Sequence, residues 1–108
     1  MRRLLLASAL ALSGCSAFGL GGGLGVTARP PTLVLDNGAG RTVYYVAMEA
    51  GFAAAVDLNP DVRAWPSLAA GQTLSVPYAE LDGYEEGDTE AVVFWSTGRG
   101  WEQERVRL

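Results

Sequence analysis

The chain has 108 residues, with eight basic residues against twelve acids, and a single cysteine. It contains no histidine and no lysine, which excludes Ser-His and Cys-His nucleophile pairs and any imidazole metal site. The acidic balance argues against a nucleic-acid partner, whose phosphates need clustered cations.

Arg2 and Arg3 open the chain, followed by a short apolar run from Leu4 to Leu12 and then Ser13, Gly14 and Cys15. A nine-residue, largely apolar run cannot cross a hydrocarbon core, which takes about 20. A basic start, a short apolar core and small residues before a cleavage point instead make a signal peptide. Leu12-Ser13-Gly14-Cys15 resembles the lipobox of bacterial lipoproteins: an aliphatic residue, two small residues, then cysteine. The resemblance implies cleavage before Cys15, a diacylglycerol thioether on its sulfur, and acylation of the new amino terminus by palmitate or a similar chain. Two or more acyl chains hold a protein firmly where one does not. The expectation is a lipid-anchored protein of the cell envelope, outside the cytoplasm. Ser16 after the cysteine resembles the outer-membrane sorting pattern, since aspartate there is the usual retention signal. In an organism with one membrane the same anchor puts the domain on the outer face. Without Arg2 and Arg3, six arginines face twelve acids. That balance of −6 argues against adhesion of the domain itself to anionic headgroups.

The sequence divides into a signal peptide (1–14), a lipidated cysteine with a glycine-rich tether (15–31) and a folded domain (32–108). Gly19, Gly21, Gly22, Gly23 and Gly25 populate the tether, and Pro30-Pro31 closes it. Fifteen such residues span about 21 Å on average and about 50 Å fully stretched. A phosphate-binding glycine loop is not expected, because Leu24 and Val26 stand where its last glycine belongs.

Beyond Pro31 the pattern turns to period two. Thr32–Leu35 and Arg41–Met48 flank Asp36-Asn37-Gly38, which predicts a β-hairpin. Phe52–Leu58 fits a strand by alternation, although Phe52, Ala55 and Val56 also fit helical spacing. Residues 61–71 read as a loop around Trp65-Pro66. Gln72–Tyr78 alternates, and Pro77 marks an edge or a strand end, since proline cannot donate to a ladder. Thr89–Ser96 is the most continuous apolar run and belongs at the centre of a sheet. Trp101–Leu108 returns as its partner, with only the Val106–Leu108 half apolar. Five to six short strands and no long helix predict an all-β fold, a small antiparallel β-sandwich, with a partly open barrel as the alternative. The domain loosely resembles immunoglobulin-type sandwiches in strand number and length, a likeness that implies no function. No second cysteine is present, so packing alone holds the domain together.

The acidic residues Glu80, Asp82, Glu85, Glu86, Asp88 and Glu90 gather in one loop. Carboxylate oxygens attract Ca²⁺, but the EF-hand spacing fails, with Tyr84 and Val93 at ligand positions counted from Asp82. A solvated acidic turn is the expectation, with no metal or cofactor. Acids confined to one loop do not flank a substrate bond, so no catalytic residue is assigned. Aromatic residues are enriched at binding hot spots and also in small cores. Trp95 and one of Tyr44 or Tyr45 are expected in the core. Trp65, Trp101 and Tyr84 are the candidates for a partner-binding surface. Arg99, Arg105 and Arg107 pair with nearby acids or grip an acidic partner. The functional expectation is non-catalytic binding or scaffolding among envelope components, with a carbohydrate- or peptidoglycan-binding module as the alternative.

Overall fold

A computed structural model describes residues 23–108. It contains seven strands in two antiparallel sheets with little helix, a small all-β sandwich rather than a closed barrel. The strands are β1 (Leu24–Arg29), β2 (Thr32–Asn37), β3 (Val43–Glu49), β4 (Ser67–Leu68), β5 (Thr73–Pro77), β6 (Glu90–Ser96) and β7 (Glu102–Arg107). One sheet has the order β1-β2-β5 and the other β4-β3-β6-β7. Among the described residues no helix is long and apolar enough to cross a membrane.

The folded domain begins earlier than the sequence led us to expect. Leu24–Arg29, assigned above to the tether, is a strand paired along its length with β2, from Leu24 opposite Asn37 to Arg29 opposite Thr32. Leu24, Val26 and Ala28 face inward while Gly25, Thr27 and Arg29 are exposed, so the period-two signal lies beneath the glycine content. Pro30-Pro31, joined by a cis peptide, is the turn of this hairpin and not the end of a linker. The rest of the proposed tether, the lipobox and Cys15 lie outside the described residues.

The hairpin expected around Asn37-Gly38 is not formed. β2 and β3 belong to different sheets, and the intervening residues cross from one to the other. Asn37 explains why. Its side chain is 0% exposed, and Nδ2 donates to the carbonyls of Arg41 (2.8 Å) and Leu68 (2.9 Å). Oδ1 accepts from the Ala39 N–H at 2.9 Å. Its backbone N–H donates to the Gln72 carbonyl, and its carbonyl accepts from the Gly71 N–H. One buried amide thus ties the end of β2 to β4, to the β4–β5 turn and to the crossing loop. Unpaired, these groups would each cost a buried polar penalty.

Leu24, Leu33, Leu35, Val43, Leu68, Ala91 and Val93 form the core between the sheets. A second core lies on the outer face of the four-stranded sheet, where Met48, Val92 and Phe94 pack under Val62 and Trp65. The segment between β3 and β4 covers that face. β6 is therefore buried on both sides, which accounts for its unbroken apolar run, and it lies between β3 and β7 as expected. Tyr44 and Tyr45 are both half-buried, on opposite faces of β3. β5 is an edge strand ending at Pro77, also as expected. β7 is the opposite sheet's charged edge: Glu102, Gln103, Glu104, Arg105 and Arg107 are exposed, and only Val106 is half-buried.

Phe52–Leu58 is not the strand expected from its alternation. Ala50–Ala53 forms a single helical turn, α1, followed by a turn in which Val56 and Leu58 pack onto the outer core. Glu49 starts α1 by accepting from the Gly51 and Phe52 N–H groups, both at 2.8 Å. Those two backbone bonds, Gly51 first, hold the Glu49 pKa below the ordinary glutamate value. The folded state therefore favours the ionised carboxylate. Its stabilisation is present above the ordinary glutamate pKa and is lost as pH falls through the lowered value. Melting temperature followed across the acid range is expected to fall more steeply for the wild type than for Glu49→Gln; superimposable acid limbs would remove this capping role.

Candidate functional site

The two ends of the sandwich differ in charge. β3 runs from Val43 to Glu49 and β6 runs back from Glu90 to Ser96, with Tyr44 opposite Ser96 and Glu49 opposite Ala91. Loop 38–42 and turn 97–100 therefore share one end, and the acidic loop 80–90 lies at the other. At the acidic end Leu81 is buried and the Tyr78 and Tyr84 rings meet at 6.0 Å, while Glu80, Asp82, Glu85 and Glu86 are exposed. Among the described residues no three acids converge on a point that could hold a metal ion.

The opposite end carries a cleft of about 300 Å³ lined by Arg41, Trp95, Thr97, Arg99, Trp101 and Glu102, with Ala39 and Ser96 at its floor. Turn 97–100 is held by the buried Ser96, whose Oγ accepts from the Gly98 N–H at 2.9 Å. Gly98 (φ 128°) and Gly100 (φ 57°) take backbone conformations that L side chains rarely adopt, and this sharp reversal presents Arg99 beside Trp101. Arg63 reaches the same end. Its guanidinium carbon lies 5.9 Å from the centroid of the Tyr44 ring, and its Nη2 lies against Gly98. Arg41, Arg63 and Arg99 make no ion pair among the described residues. Arg105 does, with Glu90 at 3.1 Å, an exposed contact of the kind worth little.

Of the three aromatic residues assigned to a binding surface, one stands free. Trp101 is 45% exposed at the rim of the cleft. Trp65, also expected to be exposed, is 7% exposed. Its neighbour Pro66 belongs to a segment packed over the outer core, and its indole N–H donates to the Asn59 carbonyl at 3.0 Å. The two rings meet at 5.7 Å and 43°, so Trp65 is the buried support of the exposed Trp101. Tyr84 is half-buried at the far end and shares no surface with them. Trp95, expected in the core, is half-buried between the inter-sheet core and the cleft. Arg41 and Arg63 carried no signal in the sequence, because the crossing of β2 to β3 places Arg41 near Arg99 and the segment between β3 and β4 lays Arg63 against the same turn.

The chain enters the domain at this same end. The Gly23 carbonyl accepts from the Gly38 N–H at 3.2 Å, and Gly23 lies against the Trp95 ring. A second cleft, of about 330 Å³, opens between the sheet edges and is lined by Tyr45, Ala47, Leu74, Val76, Glu80 and Asp82. Burial there pushes the Tyr45 hydroxyl pKa up. Its two carboxylates come from the same loop. No protein-family model, curated protein or solved structure matches this chain.

Proposed function

We propose that the protein is a lipid-anchored module of the bacterial envelope that acts by binding rather than by catalysis, through the cleft between Arg41, Arg99 and Trp101. Two guanidinium groups that make no ion pair among the described residues, beside an exposed indole, carry this reading. They complement a ligand that joins negative charge to a flat or apolar face. Anchoring follows from the lipobox-like Leu12-Ser13-Gly14-Cys15, and Ser16 directs the protein to the outer membrane where the organism has one. Non-catalytic binding fits a chain without histidine, half of whose acids gather in the loop at the far end and whose cleft is lined by one carboxylate, Glu102.

Metabolic labelling with an alkyne analogue of palmitate, followed by fractionation, tests the anchor. The wild type is expected to carry label and sediment with membranes, and Cys15→Ser to lose the label and become soluble. An unlabelled wild-type protein, or a Cys15→Ser variant still held on membranes, would overturn the anchored reading. A carbohydrate-binding module is the second reading, favoured by Trp101, since an exposed indole can stack on a sugar ring. It requires retention of the domain on isolated cell-wall material and loss of retention in Trp101→Ala.

A further inference from the structure

We propose that the arginine-rich end of the sandwich is a membrane-facing surface that takes anionic phospholipid headgroups, with Trp101 at the bilayer interface. The inference rests on the lipid-anchor reading and names the ligand of the same cleft. Three independent observations converge on it.

The first is where the chain enters. Gly23, the first described residue, lies against Trp95 at the wall of the cleft. Eight residue steps separate it from Cys15 and reach at most about 28 Å. An anchor at Cys15 therefore keeps this end within about 28 Å of the bilayer. The second is charge. The whole-chain balance argues against anionic headgroups, but the charges are unevenly spread along the strands. Arg41, Arg63 and Arg99 gather at the tether end with Asp36 and Glu102, while half of the acids lie at the other end in loop 80–90, with Arg105 and Arg107 on the strand beside it. Screening confines charge interactions to about 8–10 Å, so a bilayer senses the near end and not the sum. The third is Trp101, which is exposed beside two of these arginines. Indole rings favour the interface between headgroups and acyl chains, and guanidinium groups pair with phosphates in bidentate fashion.

The test uses two forms of the protein. Both cores lie within residues 23–108, so an unlipidated chain of residues 16–108 retains the sandwich and reports the surface without the anchor. We expect it to float with vesicles of phosphatidylglycerol and phosphatidylcholine at low salt, and not with phosphatidylcholine alone. Each arginine near a charged bilayer contributes about fivefold, so Arg41→Ser with Arg99→Ser is expected to weaken binding about 30-fold. Glu85→Gln with Glu86→Gln, at the far end, is expected to leave it nearly unchanged. Melting temperatures of both double variants establish that they remain folded. In the lipidated protein reconstituted in bilayers with brominated acyl chains, tryptophan fluorescence is expected to be quenched, and quenching to be lost in Trp101→Phe. Failure of the unlipidated chain to float with anionic vesicles overturns the proposal. So does equal binding to both vesicle types, an equal effect of the two double variants, or retention on wall glycan without vesicle binding. A protein that carries no acyl group yet floats with anionic vesicles refutes the anchor alone. One that is acylated but unquenched refutes the membrane-facing surface alone.

Discussion

Asn37→Asp is expected to leave the domain largely unfolded at neutral pH. The amide nitrogen of Asn37 donates to two backbone carbonyls from a site with no solvent exposure. A carboxylate there would set a negative charge against the Arg41 and Leu68 carbonyl oxygens. A protonated carboxyl could serve only one of them. Each buried polar group left unpaired costs about 1–3 kcal/mol, and an ionised one more. A domain of this size has a total stability of about 4–13 kcal/mol, so a loss above roughly 4 kcal/mol removes most of the margin. The pH dependence has a definite sign. The fold favours the protonated form, so the folded pKa of the new carboxyl lies above its unfolded value. Its stability is greatest below the ordinary aspartate pKa and is lost as pH rises through the folded value. Urea midpoints at pH 4 and pH 7 check this, the variant being nearer to wild type in acid. A variant as stable as wild type at both would show that Asn37 does not organise the crossing between sheets.

The second large effect is expected at Trp65. Removing a buried tryptophan costs about 3–5 kcal/mol, the lost transfer energy plus the cavity left behind. Trp65 closes the outer core over Val62, Val92 and Phe94 and makes a hydrogen bond that alanine cannot. Trp101→Ala loses mainly the contact between two rings, about 0.5–1.5 kcal/mol. Trp95→Ala is expected to fall between them, since that ring is half-buried. Urea unfolding of the three variants should therefore rank Trp65→Ala as the least stable and Trp101→Ala as the most. Equal midpoints for Trp65→Ala and Trp101→Ala would mean that the segment between β3 and β4 does not seal the outer face.

The sequence expresses burial more clearly than connectivity. β6 and β5 are legible because unbroken or alternating apolar residues record how many faces of a strand are covered. β1 has the same alternation in Leu24, Val26 and Ala28, but glycines beside them mimic a linker. Asn37-Gly38 has hairpin chemistry. Its buried amide instead binds Arg41 within the crossing and Leu68 on β4, and the second, distant partner is invisible to local patterns. Trp65 beside a proline in an irregular segment resembles an exposed loop residue. Exposure there depends on the sheet face beneath, which no short window contains. The cleft was half legible for the same reason. Trp101 follows a glycine turn and stands out, whereas Arg41 and Arg63 join Arg99 only through the topology.

On the anchor proposed above, the domain would meet its own copies in two dimensions, where confinement raises encounter frequency. Strand edges would then collide more often than in free solution, which favours unwanted ladder growth. β7 is built against that outcome. Glu102 and Glu104 lie on the face where Val106 turns inward, and Gln103, Arg105 and Arg107 line the other. Two copies approaching β7 to β7 would have to desolvate and crowd these charges before forming a single backbone hydrogen bond. Crowding on such an anchor would thus be opposed by an edge that repels its own image.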